Sequence, residues 1–207
     1  MAISFPVILD DFFNDLVISS MSFELGENVE IEETASGEIL TSTVGARLWF
    51  GSVVVSRGKH SSREHMRARL DLLRRPGASF LVGHPFAKFP QSAPSGTGFG
   101  AITVNSRVSS RELTLVGVPA AGLTAGDHIS IEFATGKFSY HRIVTGGTTG
   151  NIEVNPDLPA GVSSGNTVTA INPYLKAIIR PGNTDQSNLT PARISGEFVF
   201  DWVQTMS

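Results

Sequence analysis

Residues 161–165 read Gly-Val-Ser-Ser-Gly, a pattern that surrounds the nucleophilic serine of many hydrolases. In those enzymes a strand leads into the serine and a helix follows it, so that a strained turn projects the hydroxyl. Here Leu158-Pro159 precedes the pattern, and the β-prone run Thr167-Val168-Thr169 follows it. The surroundings therefore predict a loop between strands, and an esterase-type activity at Ser163 is kept only as an alternative.

Other groups with chemical potential lack the spacing that their chemistry needs. The glycine-rich run at 96–100 is not followed by a helical pattern that could hold a phosphate at its N-terminus. The histidines form no metal-binding motif, and His128 and His141 are expected on the surface of paired strands. Asp10-Asp11 is expected to end a strand or cap a turn. The chain has no cysteine, which excludes disulfides, cysteine-ligated zinc and thiol chemistry. None of these patterns identifies a catalytic, cofactor-binding or metal-binding residue.

Arginine is concentrated in one short segment, at Arg63, Arg67, Arg69, Arg74 and Arg75. A basic helix can grip the phosphates of nucleic acid, form a solvated face or contact another subunit. The chain as a whole has a net charge of -3, which argues against nucleic-acid binding. The face that carries Arg63, Arg67 and Arg74 is therefore the candidate subunit interface.

The elements that would position these groups are mostly β-strands, because apolar and polar residues alternate through most of the chain. Residues 127–133 and 138–142 alternate on either side of Thr135-Gly136, which predicts a β-hairpin with Gly136 at positive φ. In the segment 193–203, one face collects four large apolar residues: Ile194, Phe198, Phe200 and Trp202. Further strands are predicted at 2–8, 15–23, 28–34, 39–44, 46–57, 78–83, 101–104, 112–116, 151–154, 166–171 and 174–180.

One segment departs from the strand pattern and predicts a helix. Met66, Leu70 and Leu73 recur at helical spacing, and Pro76-Gly77 ends the run. Ser61 and Glu64 fit a capping box, in which Ser61 is the N-cap. We therefore predict a single α-helix of roughly 14 residues, a length typical of globular proteins.

Two breaks divide the chain. Residues 90–100 are rich in Pro, Gly and Ser, and Asn172-Pro173 forms the second break. We predict a mainly β protein in two parts: one domain with the α-helix, formed by residues 1–90 and 173–207, and an inserted run of short strands over 97–172. The insert could be a small β-barrel of the kind that binds oligonucleotides or sugars. The alternative is two domains in series, with 100–207 as one barrel.

Charge is divided unevenly between the first two quarters of the chain. Residues 47–90 hold nine basic residues and only two acids, Glu64 and Asp71. Residues 1–46 hold no Lys or Arg but nine acids: Asp10, Asp11, Asp15, Glu24, Glu27, Glu30, Glu32, Glu33 and Glu38. Such a division indicates pairing within the chain, loosely paired solvated faces, or complementarity between neighbouring subunits.

Several segments follow one another in a characteristic order: Arg47-Leu-Trp49-Phe-Gly51, the arginine-rich helix, Pro76-Gly77, Gly126-Asp127-His-Ile, Tyr140-His141-Arg142, Ile152-Glu-Val154, Lys176-Ala-Ile-Ile and Phe198-Val-Phe200-Asp-Trp202. Their types and order resemble the distal tail proteins of long-tailed (siphovirus-type) bacteriophages. The resemblance extends over nearly the whole chain and includes no catalytic string.

This resemblance implies a β-sandwich with one α-helix, and for the insert a small β-barrel of the oligonucleotide/oligosaccharide-binding or galectin-like type. It also implies a structural protein of the viral tail tip, without catalytic residues, that assembles as a hexameric ring. The ring would join the tail tube protein to the baseplate hub protein and leave a channel for DNA. The N-terminus has no signal-peptide pattern, and no run approaches the ~18 apolar residues of a membrane helix. We therefore expect assembly in the host cytoplasm, a final place in the virion and no membrane partner.

Two further functions stay open. A different tail component, such as a tube protein, would share most of these features. A carbohydrate-binding β module is the other, because small barrels bind sugars. The predicted insert offers four aromatic residues: Phe99, Phe133, Phe138 and Tyr140. Of these, Tyr140 is the one expected to contact a sugar.

Overall fold

A computed structural model describes residues 3–148, 151–185 and 194–207 of the chain. In this part the chain is mainly β, with one α-helix, a curled six-stranded sheet and a closed six-stranded barrel. The predicted fold class is therefore confirmed.

The strands follow one another along the chain, with one α-helix, α1 (His60–Leu73), and a 3-10 helix, Leu9–Asp11. The strands are β1 (Ile18–Met21), β2 (Glu24–Leu25), β3 (Val29–Glu33), β4 (Ile39–Thr43), β5 (Trp49–Val55), β6 (Gly58–Lys59), β7 (Phe80–Gly83), β8 (Ile102–Arg107), β9 (Glu112–Val116), β10 (His128–Ala134), β11 (Lys137–Thr145), β12 (Ile152–Asn155), β13 (Thr167–Thr169), β14 (Tyr174–Asp185), β15 (Ile194–Ser195) and β16 (Phe198–Gln204).

The curled sheet has the strand order β1-β5-β16-β14-β7, and β2 also pairs with β5. The C-terminal strand β16 lies at its centre, antiparallel to both β5 and β14. Buried and half-buried residues alternate along β5 and along β16, which is why the period-two pattern of these segments was so clear in the sequence. Phe198, Phe200 and Trp202 are all buried in the core of this sheet.

Gly51 is required where β5 passes beneath Trp202. A Cβ atom at this position would collide with the Ser22 carbonyl oxygen and would lie 2.9 Å from Cζ2 of Trp202. Gly51 and Trp202 are paired across the two strands. The absence of a side chain at Gly51 therefore lets the large indole sit directly over its neighbour.

The barrel is closed in the order β10-β11-β12-β9-β8-β13, with β13 returning to β10. Its own core is aliphatic, with Leu113, Ile129, Ile131 and Ile143 almost fully buried. The predicted hairpin is present as β10 and β11, and Gly136 in its turn has a φ of +70°. After Asn172-Pro173, β14 and β16 pair within the curled sheet and β15 pairs with β6, so none of these three strands joins the barrel ladder.

The helix α1 has 14 residues and packs Leu70 and Leu73 into the core of the curled sheet. It begins at His60, with Lys59 as N-cap and no side-chain cap hydrogen bond from that residue. The expected N-cap at Ser61 is therefore wrong. The short strand β6 pairs with β15 immediately before the helix, so tertiary pairing fixes where the helix starts.

The strand expected at 2–8 is also absent from the described residues of that range. Val7 alone forms a bridge, with Phe80, through hydrogen bonds with the backbone of Ser79 and Leu81. Pro6, which has no N–H group, precedes it, and this limits how far a ladder can extend.

Replacing Phe200 with alanine should lower the free energy of unfolding by about 3–5 kcal/mol, because a fully buried aromatic ring leaves a cavity at the centre of the sheet. Val203→Ala, on the half-buried face of the same strand, is the matched control and should cost much less. Urea denaturation of both variants measures the difference. Equal losses would show that β16 is not a core strand.

Candidate assembly surfaces

The strands β3 and β4 form a two-stranded hairpin that continues outward from the β2–β5 pair. Its five cross-strand pairs run from Val29 opposite Thr43 to Glu33 opposite Ile39. The turn between them is closed by a hydrogen bond from the Thr34 N–H to the Glu38 carbonyl oxygen (2.9 Å). At the base, the Asn28 amide donates to the Ala46 carbonyl oxygen (2.6 Å). We call residues 28–44 the projecting hairpin.

The two faces of the projecting hairpin differ in chemistry. Residues that lie opposite each other in an antiparallel pair share a face. One face therefore carries Glu33 and five β-branched residues: Val29, Ile31, Ile39, Thr41 and Thr43. The other face carries Glu30, Glu32, Leu40 and Ser42. The hairpin thus has an apolar face and an acidic face.

Both faces of the projecting hairpin are exposed, and every residue of β3 and β4 is accessible to solvent. Ile31 and Ile39 are 68% and 66% exposed. A lone two-stranded hairpin is only marginally stable in water, and its open edges are templates for pairing with another chain. Large apolar side chains gathered on such an element mark an interaction surface. The projecting hairpin is therefore the first candidate assembly surface.

The second candidate surface is the outer face of α1, where the sequence placed Arg63, Arg67 and Arg74. Two of these side chains are described, and both form ion pairs with acids three residues earlier: Arg67 with Glu64 and Arg74 with Asp71, each at 3.0 Å. The side chain of Arg63 lies outside the described part of the chain. Surface pairs of this kind contribute only about 0–1 kcal/mol.

The acidic first segment and the basic helix also meet within the chain. Arg69 Nη1 lies 3.5 Å from Asp15 Oδ2, an ion-pair distance without hydrogen-bond geometry. Intramolecular pairing, one of the expectations from the charge division, is thus present at this point. The acids of the projecting hairpin are not part of that contact.

The barrel and the curled sheet meet at a buried aromatic contact. Tyr140, on β11, is fully buried in the core of the sheet and not in that of the barrel. Trp49 Nε1 donates a hydrogen bond to the Tyr140 carbonyl oxygen (2.8 Å), and their rings meet edge to face at 5.5 Å. Phe23 packs against both rings and against Trp202.

Basic side chains surround this contact. His128 is hydrogen-bonded through Nδ1 to the Tyr140 hydroxyl (2.7 Å) and through Nε2 to Arg142 Nε (3.3 Å). The Arg142 guanidinium lies over the Trp49 ring at 5.5 Å from its centroid, a cation–π geometry. The His84 ring, from the sheet side, lies 5.2 Å from that of His128. We call Trp49, His84, His128, Tyr140 and Arg142 the junction cluster.

Burial, followed by the positive charges of Arg142 and His84, lowers the pKa of His128 to about 4. Burial and then Arg142 also lower the pKa of His84. His128 is 7% exposed and His141 is fully buried, so the expectation that His128 and His141 are surface residues is wrong. Closure of the barrel and its docking to the sheet bury these two histidines. The alternation of apolar and polar residues along a strand does not reveal such burial.

His141 faces away from the junction. Its Nδ1–H donates to the Pro156 carbonyl oxygen (2.9 Å), and Nε2 has no hydrogen-bond partner among the described protein groups. Burial lowers its pKa to about 4, against the opposing effects of the Pro156 carbonyl and Asp157. The ring is therefore held neutral in the folded protein.

The other sequence motifs lie in turns. Ser163 is followed by β13 and not by a helix. Its hydroxyl lies 3.4 Å from Asn166 Oδ1, and its backbone N–H donates to the same oxygen and closes the turn. Asp10-Asp11 lies in the 3-10 helix. Among the described residues, no group of three His, Cys, Asp or Glu side chains could hold a metal ion.

The aromatic residues of the barrel do not form a sugar-stacking platform. Phe138 and Tyr140 are buried, and Phe99 and Phe133 pack partly buried against the barrel core. Tyr140, the expected sugar contact, is enclosed by the curled sheet. No feature of the described barrel favours the carbohydrate-binding alternative.

Comparison with protein-family models gives no match, and comparison with curated proteins gives none either. Within the part of the chain that the structure describes, no helix is long and apolar enough to cross a membrane. Function is therefore inferred from the surfaces of the molecule.

We expect His141 to account for roughly 3 kcal/mol of the fall in the free energy of unfolding as the pH drops from 6.5 through 4, because unfolding lets it take up a proton that the folded barrel excludes. The contribution is fully present above pH 6.5, the ordinary pKa of histidine. His141→Gln should remove this part of the loss, whereas exposed His65→Gln should not. Urea denaturation across the pH range would contradict the assignment if all three proteins lost stability equally.

Proposed function

We propose that the chain is a structural subunit that assembles with copies of itself into a ring at the tip of a viral tail. In this proposal the ring is a hexamer, joins the tail tube protein to the baseplate hub protein and leaves a channel through which DNA passes. Its place is the virion, after assembly in the host cytoplasm. The observation that carries the proposal is the projecting hairpin, in which every residue of β3 and β4 is exposed to solvent.

A closed ring requires a heterologous interface, in which two different surfaces of each subunit complement one another. The projecting hairpin offers an apolar face and two open strand edges, and it lies apart from the barrel in the chain. The outer face of α1 offers positive charge. These are two chemically distinct surfaces on one subunit, as a ring needs.

Charge fits the same division of roles. The acidic face of the projecting hairpin carries Glu30 and Glu32, and the helix face carries Arg67 and Arg74. Exposed pairs contribute only about 0–1 kcal/mol each. We therefore assign most of the assembly free energy to strand pairing and to burial of the apolar hairpin face, and assign orientation and encounter to charge.

Negative-stain electron microscopy of the purified chain tests the proposal directly. A six-fold ring with a central hole is expected, alone or after addition of the tail tube protein or the baseplate hub protein. Particles that stay monomeric in all three preparations would sink it, and a stacked tube formed by the chain alone would favour a tube protein instead.

Replacing Ile31 and Ile39 with aspartate should abolish the ring without changing the thermal melting of the subunit, because both side chains are exposed on the apolar hairpin face. The matched control is Val116→Asp with Val144→Asp, two exposed β-branched residues of the barrel. Light scattering coupled to size-exclusion chromatography reports the assembly state of each. If rings are as abundant in the hairpin variant as in the control, the hairpin is not part of the interface.

Reversing Arg63, Arg67 and Arg74 to glutamate should weaken assembly and reduce its sensitivity to salt, since the charges that steer the partner would be lost. The same scattering measurement at low and high salt reports both effects. If the triple variant assembles like the wild type at both salt concentrations, the helix face is only solvated.

A further inference from the structure

We propose that the junction cluster is an acid-sensitive latch, which holds the barrel against the curled sheet while His84 and His128 are neutral and releases it when both are protonated. The inference concerns the connection between the two parts of one subunit. It does not depend on the ring or on any partner.

The hydrogen bonds of the junction define the protonation state of His128. Arg142 Nε always carries a hydrogen, so His128 Nε2 must accept. A neutral imidazole has one N–H, and this places the proton on Nδ1, from where it donates to the Tyr140 hydroxyl oxygen. Protonation would make Nε2 a donor that faces the Arg142 N–H, and the hydrogen bond between them would break.

His84 is held in the same way on the other side of the junction. Its Nδ1 accepts a hydrogen bond from the Phe86 backbone N–H (3.2 Å), so Nδ1 is unprotonated and Nε2 carries the hydrogen. A second proton, on Nδ1, would face the Phe86 backbone N–H, which cannot rotate away. Both histidines of the junction cluster are therefore acceptors, and each loses a hydrogen bond when it becomes charged.

Protonation would also bring three positive charges together, since the rings of His84 and His128 are 5.2 Å apart and Arg142 touches His128. The carboxylate that acts on His128 is Asp127, and it favours the charged form. Its two oxygens already accept from the backbone N–H groups of Gln91 and Thr124 (2.8 and 2.7 Å). Tyr140 and Trp49, the other members of the cluster, carry no charge to offset the two imidazoliums.

The direction of the pH effect follows from these contacts. Burial and Arg142 hold the pKa of His128 near 4, below its ordinary 6.5, and the pKa of His84 is lowered for the same reasons. The latch is thus complete above pH 6.5 and is lost as the pH falls toward 4.

Release is expected before unfolding because each part has its own core. The barrel closes on itself around an aliphatic core, and Tyr140 is the barrel residue that packs into the aromatic core of the sheet. Outside the junction cluster, contacts between the two parts include the ring pair Phe138–Tyr174 and a 3.4 Å hydrogen bond from the Tyr174 N–H to Ser130 Oγ. A hydrogen bond from Arg47 Nη1 to Asn155 Oδ1 (3.4 Å) and the ring pair Phe23–Tyr140 also cross the junction, and release separates these too.

The absence of cysteine makes the test direct, since two introduced cysteines can be spin-labelled specifically. Arg75→Cys on the sheet side and Lys137→Cys in the barrel hairpin are both exposed. Electron–electron double resonance should give a narrow distance distribution at about pH 7.5 and a longer, broad one at about pH 4. In a His84→Gln/His128→Gln background the distribution should stay narrow, and in the His65→Gln control it should broaden as in the wild type.

Three results would overturn the proposal: a wild-type distribution that does not change, a double variant that opens at the same pH as the wild type, or loss of the barrel's dispersed amide spectrum in the same step as the separation. If the double variant does not fold, imidazole ¹⁵N shifts of the wild type decide. His128 should be the Nδ1–H tautomer at neutral pH and should become protonated as the labels separate. Separation while His128 is still neutral would also overturn the latch.

Discussion

The buried hydrogen bond from the Trp49 indole to the Tyr140 carbonyl oxygen joins the two hydrophobic cores of the molecule. Trp49 belongs to β5, the strand next to the central strand of the curled sheet, and Tyr140 belongs to β11 of the barrel. Because Tyr140 is buried in the sheet's core, the barrel contributes part of the sheet's own packing. The position of the barrel is therefore fixed by the same aromatic residues that stabilise the sheet.

The same strand also sets the direction of the projecting hairpin. Leu25 pairs with Trp49 at the start of β5, and the chain leaves this pair to form β3 and β4. Arg47, between the hairpin and Trp49, donates through Nε to the Gly26 carbonyl oxygen (3.0 Å). One end of β5 thus anchors the barrel and aims the element that we assign to assembly, so the rigid interior and the exposed surface depend on one strand.

Local patterns were enough to predict most of the strands, the single helix and the mainly β fold class. Phe198, Phe200 and Trp202 alternate, and this predicted a half-buried strand without any knowledge of its neighbours. The junction cluster could not be predicted, because its members come from positions 49, 84, 128, 140 and 142 and meet only after the barrel docks. For the same reason His128 and His141 were placed on the surface: alternation gives two faces but does not say that both will be covered. The sequence also contained Ile31 and Ile39 without indicating that the chain leaves them uncovered.

The central claim is that a rigid subunit presents the exposed projecting hairpin to its neighbours. Backbone hydrogen exchange tests it most directly when it is measured by mass spectrometry on the monomer and on the assembled protein. Amides of 49–55 and 137–145 should be protected already in the monomer, because the junction forms within one chain. Amides of 29–43 should exchange rapidly in the monomer and become protected on assembly. Rapid exchange of 29–43 in the assembled protein, or of 137–145 in the monomer, would contradict this account.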